Sequence, residues 1–254
     1  MKIVFLGSGN VATHLACTVQ EAGHKVLQIF NHRLNGAVEL AGKLNCAFTD
    51  KINEITDQAD VYIISVKDDA IGIIAQQLNL KDKVVVHTAG SVDMNVLLPA
   101  TPNVGVLYPL QTFSKDRALD FQSVPLFIEG ANDITSETIK RLAQSIAHFV
   151  TVSNSEQRRI LHLSAVFACN FVNHLYDLSN GLLKEHNLSF DALKPLILET
   201  AQKVQQLHPH NAQTGPARRN DQQVMTKHLQ LLSNNQPLQF IYQLLSDSIV
   251  KSFQ

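Results

Sequence analysis

The sequence predicts an α/β fold. An N-terminal doubly wound domain with a mostly parallel sheet should occupy residues 1–152, and an all-α C-terminal domain residues 153–254. Three observations carry this reading. Short apolar runs alternate with stretches of helical period as far as Val152, the first run ends in a glycine turn, and from Ser155 onward only helical periodicity remains. Repeated strand–helix units with short loops imply parallel strands joined by right-handed crossovers and covered by helices.

Lys2–Leu6 is an apolar run closed by Gly7. Val11, Leu15, Val19 and Ala22 recur at helical spacing, and Gly23 follows as a stop. Lys25–Phe30 reads as the second strand, a helix passes through Ala37–Leu44, and a short strand follows at Cys46–Phe48. Val61–Val66 is almost continuously apolar, as a strand buried on both faces should be, and Ile71–Leu78 is helical. Lys83–Val86, Val104–Leu107 and Pro125–Ile128 read as further strands, and Phe149–Val152 closes the sheet. A long helix should then run from Ser155 to near His186, with Gly181 the expected interruption. Ser189 is a plausible N-cap for a second helix ending near Leu207, in which Pro195 marks a kink or a later start. Two helices, Asp221–Leu232 and Pro237–Ser252, finish the chain.

The 254 residues are 45% apolar and 17% charged, which gives material for a core and no case for disorder. Basic residues number 21 and acidic ones 22, with 12 and 15 up to residue 152 and 9 and 7 after it. Neither half has the basic excess of a general nucleic-acid binder or of a polybasic membrane-surface protein. Cys17, Cys46 and Cys169 stand alone in apolar surroundings with no C-x-x-C spacing, so they read as buried thiols in a reducing compartment. The apolar run after Met1 is too short for a signal peptide. The uncharged stretch Ile160–Tyr176 contains His162, Asn170, Asn173 and His174, which fits a buried helix with a polar stripe better than a membrane span. The expectation is a cytoplasmic protein with neither nucleic acid nor membrane as partner. The 11 histidines, His208 and His210 included, show no H-E-x-x-H or Cys–His cluster, so no metal site is expected.

Gly7-Ser8-Gly9-Asn10-Val11-Ala12 fits G-x-G-x-x-A between a strand and a helix, the context a Rossmann dinucleotide site requires. The first glycine permits the tight turn, the second lets the backbone approach a pyrophosphate, and the small Ala12 allows close packing of helix on strand. The second strand ends Asn31-His32-Arg33, with no carboxylate for a ribose 2′-hydroxyl. Arg33 can instead offer a fork to a 2′-phosphate, so NADP (NADPH) is expected over NAD. Val66 and Lys67, after the fourth strand, should touch the cofactor through their backbone, while Asp68 or Asp69 caps the next helix. Thr88 and Ala89, in His87-Thr88-Ala89-Gly90-Ser91, and the segment Tyr108–Phe113 close two further strands where nicotinamide and substrate would lie. At 100° per residue from His162, Asn173, Asp177, Asn170 and His174 fall in one sector of the long helix. His and Asn are not the usual residues of a solvated face, so the stripe is expected to line a cleft. Thr214–Asp221 forms a fixed loop in which Arg219 can hold a substrate carboxylate or a neighbouring acid and Asp221 can cap the next helix, with His228 seven residues further on.

These marks together resemble the Rossmann-like family described as NADP oxidoreductase, coenzyme deazaflavin-dependent, and within it a bacterial group with an all-helical C-terminal domain of unknown function. The resemblance spans essentially the whole chain and rests on Gly7–Ala12, Asn31–Arg33, His87–Ser91, Tyr108–Phe113, His162 with Asn170, and Thr214–Asp221 with His228. Wider relatives are pyrroline-5-carboxylate reductase, ketopantoate reductase and the 3-hydroxyisobutyrate and 6-phosphogluconate dehydrogenases. The resemblance implies a helical domain that dimerises and shapes the substrate cleft. The sequence departs from it twice. Related hydroxyacid dehydrogenases carry a lysine on the first long helix, but none lies between Arg159 and Lys184, and Asn170 occupies that place. Tyr108 also stands where the bacterial group usually has histidine.

The function expected is NADP-dependent hydride transfer to or from a small carbonyl or imine, by a homodimer. His162 is the first choice of general acid, with Tyr108 and His87 as rivals. Asn170, Arg219 and Asp221 complete the expected catalytic set. The alternative is a non-catalytic dinucleotide sensor or scaffold dimer.

Overall fold

In the computed structural model, which describes residues 1–254, eight strands form a single sheet. They are β1 (Lys2–Leu6), β2 (Lys25–Phe30), β3 (Ala47–Thr49), β4 (Val61–Ile64), β5 (Val84–His87), β6 (Val104–Pro109), β7 (Leu126–Gly130) and β8 (Val150–Val152), in the spatial order β3-β2-β1-β4-β5-β6-β7-β8. Every neighbouring pair is parallel except β6 with β7. β6 reaches β7 through a long loop with a 3₁₀ turn at Phe121–Ser123, and β5 reaches β6 through one with a 3₁₀ turn at Met94–Leu97, yet only the β6–β7 pair is antiparallel.

Helices α1 (Asn10–Glu21), α2 (Leu34–Leu44), α3 (Asp68–Ala75) and α4 (Asp133–Ile146) follow β1, β2, β4 and β7. Period-2 alternation divides the core into two layers. Ile3 and Phe5 of β1 pack under α1, α2 and α4, whereas Val4 and Leu6 face the layer of α3 and the turn at Met94–Leu97. α4 has no counterpart in the sequence reading. Its apolar face, Ile139, Leu142, Ala143 and Ile146, begins only at its seventh residue, and its start is set by the Asn132 side chain accepting the Thr135 amide. The connections reverse sense between β1 and β4, which makes the carboxyl ends of these strands the crevice where doubly wound sheets bind ligands.

The chain divides into two compact units, Met1–Asn170 and Phe171–Gln254. The change of pattern at residue 152 is therefore the end of the sheet, and the first unit keeps the next helix, α5 (Ser155–Ala165). A capping box starts α5: Asn154 accepts the Gln157 amide and Gln157 accepts the Asn154 amide. The expected interruption at Gly181 falls elsewhere. Val166–Phe171 is π-helical, and α6 (Val172–Glu185) runs unbroken through Gly181. An i→i+5 turn holds one residue more than an α turn, so the helical phase slips by roughly 100° across the segment. The uniform rotation used to align His162 with Asn173, His174 and Asp177 does not hold through it.

In the second unit, Ser189 caps a 3₁₀ turn at Phe190–Leu193 that leads into α7 (Lys194–Gln206), with Pro195 in its first turn. α8 (Pro209–Ala212) is a single turn, followed by α9 (Gln222–Leu231) and α10 (Gln236–Ser252). His228 and Tyr242 join α9 to α10 at 2.8 Å, and the Arg218 guanidinium lies 5.0 Å from the centre of the Phe253 ring. Few side chains of this unit are buried, Met225 and Leu232 among them. All three cysteines are free and half-buried rather than fully enclosed, and burial pushes the Cys46 thiol up to about 11. No helix is long and apolar enough to cross a membrane.

Candidate active site

The turn after β1 has the geometry the glycine motif demands. Gly7 sits at φ +120° and its amide donates to the Phe30 carbonyl at 2.8 Å; a Cβ there would overlap the Ser65 carbonyl oxygen. Gly9 precedes α1 with no side-chain cap, and a Cβ added to it would meet nothing within 4 Å. The start of α1 thus has no side-chain cap and open space beside Gly9, as a phosphate site requires. Ser8 is buried and accepts a 2.7 Å hydrogen bond from the Asn31 amide group at the end of β2. Gly36 makes room for that pair, since a Cβ there would overlap both Ser8 and Asn31. Beyond them His32 and Arg33 are exposed, and the first turn of α2 carries no acidic residue. This cradle fits a dinucleotide with a 2′-phosphate. Asn10 donates to the Phe113 carbonyl at 2.8 Å, and His14 lies 2.9 Å from the Ser114 carbonyl, so the loop after β6 is tied to α1; Val11 is half-buried on the same helix.

Val66 and Lys67 follow β4, and Thr88 and Ala89 follow β5, both at the carboxyl edge beside β1. The Thr88 hydroxyl donates to Ser65 at 3.1 Å, and the Ser91 hydroxyl donates to Asp68, linking the loop after β5 to the start of α3. His87, at the end of β5, is fully buried, and its Nδ1 accepts the Ala89 amide at 3.1 Å. Burial, helped by the nearby Arg158 cation, pushes His87 down to about 4. It is neutral at physiological pH and shapes its loop.

At the carboxyl end of β6 the Tyr108 hydroxyl lies 2.9 Å from His162 Nδ1, with the rings edge to face at 5.9 Å. Tyr108 is buried, which raises its phenol to about 12. Gly90 lies directly against the pair: a Cβ there would be 2.7 Å from the His162 ring and 2.8 Å from Tyr108. The structure therefore joins residues from three separate segments, the loop after β5, β6 and α5. Sequence spacing named each of them but not their pairing. One participant went unnoticed. Arg158, one turn before His162, is wholly buried and pairs with Glu129 of β7. In sequence Arg158, beside Arg159 in a charged stretch, resembles a surface residue, and only its i, i+4 relation to His162 could have marked it.

Asn170 lies in the π-helical segment and is exposed. Arg219 and Asp221 belong to the second unit. The Asp221 carboxylate accepts the Val224 amide at 3.1 Å and so caps α9, and Arg219 is exposed in the turn before it. Asn173, His174, Tyr176, Asp177, Asn180 and Phe190 line a shallow cavity of about 360 Å³ in that unit. No cluster of three His, Cys, Asp or Glu side chains could hold a metal ion.

Residues 2–90 match the family described as NADP oxidoreductase, coenzyme F420-dependent, and residues 124–249 match a domain of unknown function, DUF2520. A Bacteroides fragilis protein named as an NADP oxidoreductase shares 43% identity with the chain, with 98% of each chain covered and a TM-score of 0.94. The chain belongs to this family of NADP oxidoreductases, with a C-terminal helical domain of the DUF2520 type. NADP(H) is the family's nicotinamide coenzyme. The fold is shared more widely. A 1-pyrroline-5-carboxylate reductase from Streptococcus pyogenes is similar at 13% identity and a TM-score of 0.65, with 99% of this chain and 98% of that one covered. An imine reductase from Myxococcus stipitatus in complex with NADP+ is similar at 13% identity and a TM-score of 0.62, with 99% and 92% covered. No curated protein matches the chain.

Proposed function

We propose that the protein is an NADPH-dependent reductase of small imine or carbonyl compounds, with His162 as its proton donor. The observation that carries this is the Tyr108–His162 pair, packed against Gly90 in the loop that follows β5 at the ligand-binding edge of the sheet. When bound, NADPH supplies the hydride; the chain must supply binding, orientation and a proton. The cofactor would be held by the Gly7–Val11 turn, by Asn31 and Arg33 at its 2′-phosphate, and by the backbone of Val66, Lys67, Thr88 and Ala89. Tyr108 keeps its proton at neutral pH, since its phenol is raised to about 12. Its O–H can donate to Nδ1 of His162, which places the ring's proton on Nε2; as that proton passes to a substrate nitrogen or oxygen, the Tyr108 proton passes to Nδ1 and solvent restores the phenol, so no imidazolate is left. Asn170 is assigned to a polar group of the substrate. Asp221, whose carboxylate caps α9, is assigned to holding the Arg219 loop.

The missing helix lysine favours an imine over a hydroxyacid, because an imine needs a proton at nitrogen and no base to deprotonate a hydroxyl. The fold shared with pyrroline-carboxylate and imine reductases points the same way. The working form is a homodimer built through the second unit, whose large apolar side chains stand exposed. Three free cysteines fit a cytoplasmic setting. The test is NADPH consumption against a panel of small cyclic imines, ketones and aldehydes, for the wild type and His162→Ala. Turnover of one class, lowered about 100-fold or more by His162→Ala with NADPH affinity retained, is the expected result. NADPH binding with no turnover of any compound would favour a dinucleotide sensor.

A further inference from the structure

We propose that Arg158 is the positioning residue of this site, clamping together the three segments that carry Gly90, Tyr108 and His162. The inference rests on the reading of His162 as the proton donor. Arg158 is wholly buried, and its guanidinium reaches the loop after β5, the first residue of α5 and β7, the strand paired with β6. One terminal nitrogen donates to the Glu129 carboxylate of β7. The other donates to the Val92 carbonyl at 2.5 Å and to the Ser155 hydroxyl at 3.1 Å. Ser155, the first residue of α5, closes the network on Glu129 with its amide at 3.1 Å and its hydroxyl at 2.9 Å. Val92 lies two residues beyond Gly90, Glu129 stands opposite Val106 in the β6–β7 ladder, and Ser155 begins the helix that carries His162.

The spacing explains how the clamp acts at a distance. Glu129 faces Val106, and Tyr108 is two residues further along β6. Two strand residues advance ~6.6 Å. Arg158 to His162 is four helical residues, a rise of ~6 Å. Anchoring Arg158 at the level of Val106 therefore brings His162 to the level of Tyr108, where their 2.9 Å contact forms. Lysine would not reproduce the clamp: an ammonium can meet Glu129 but lacks the planar fork that reaches a carboxylate and a carbonyl in different directions. The cation also acts on the site directly, since it helps depress His87 and opposes the rise of Tyr108.

The experiment compares wild type, Arg158→Lys, Glu129→Gln and Tyr108→Phe, with histidine ¹⁵N-labelled for NMR. The His162 resonance, assigned by its loss in His162→Ala, reports which ring nitrogen carries the proton and whether Nδ1 is hydrogen-bonded. The expected result is that Arg158→Lys and Glu129→Gln keep NADPH affinity within about twofold while their His162 signal moves to that of Tyr108→Phe. On a substrate found in the panel, kcat should fall ~100-fold, the scale of a 1 Å misplacement. A folded Arg158→Lys or Glu129→Gln with the wild-type His162 signal would overturn the proposal. So would failure of both variants to fold, which would make the network a stability element. A shifted His162 signal with unchanged turnover would support the positioning and remove His162 from the chemistry, which separates the two failures.

Discussion

Gly7 and Gly9 occupy one motif and do different things, and substitution separates them. Gly7 holds a left-handed φ with the Ser65 carbonyl against its α-hydrogen, so Gly7→Val should lower stability by several kcal/mol, about the sum of a strained backbone and an overpacked contact. Gly9 faces open space at the start of α1, so Gly9→Val should fold normally and lose NADPH, its methyl groups standing where the pyrophosphate must approach. Thermal melts and NADPH titration of the two variants check both halves; a folded Gly9→Val that still binds NADPH would make the turn purely structural. Arg33 gives a second prediction. Exposed at the end of β2 with no carboxylate before it, it is the candidate partner of the 2′-phosphate. Arg33→Ala should weaken NADPH by about tenfold or more, the worth of a charge-assisted hydrogen bond, and leave NADH unchanged. At this scale the tight turn after β1 was legible, because glycine spacing reports backbone geometry directly and Gly7 holds the positive φ. Arg158 and Glu129 were not, because 29 positions separate them and only the β6–β7 register brings them together.

Among the elements, β5 carries a titration that the fold must withstand. His87 at its end is held near 4, against an ordinary value of 6.5. Between those values the unfolded chain binds a proton that the folded chain does not, so this group lowers stability as pH falls from about 6.5 towards 4 and has no effect above that window. The full difference corresponds to about 3 kcal/mol, and about 2 kcal/mol of it should be lost at about pH 5. Urea denaturation of wild type and His87→Gln at about pH 7.5 and pH 5 tests this: the wild type should lose that much more stability between the two conditions than the variant. An equal pH dependence in both would mean that His87 is protonated without penalty. The strands themselves were legible, since β1, β4 and β5 are buried on both faces and read as plain apolar runs. α4 escaped because Ile134 is the only large apolar residue before Ile139, too little to show a helical period at its start. The direction of β7 and the π-helical segment escaped because neither alters apolar periodicity locally: loops with only a 3₁₀ turn precede both β6 and β7, and the π-helical segment is a single extra residue in a turn.

At the scale of the whole molecule, the two units differ in how they are stabilised. The first covers both faces of its sheet and encloses two apolar layers. The second has 84 residues and few buried side chains, while Leu231 is 81% exposed, Phe240 68%, Leu196 61% and Leu244 57%. Helices that present such faces to water do not bury enough area to offset their ordering entropy. A second copy of the chain carries the same faces and so offers a self-complementary partner, the usual logic of a two-fold dimer. Leu231, the last residue of α9, and Phe240 and Leu244, one turn apart on α10, lie on helices that contact each other. Phe240→Lys and Leu244→Lys should therefore act together. Sedimentation at roughly 10 µM, a concentration at which a modest-affinity interface is already closed, should give twice the chain mass for wild type and a single chain mass for the double variant. On the proposed dimer, helical signal should fall in step with dissociation, while NADPH binding by the sheet unit is kept. A wild-type monomer at that concentration, with its helices fully formed, would show that the second unit is stable with its apolar faces in water and would remove the dimer from the account.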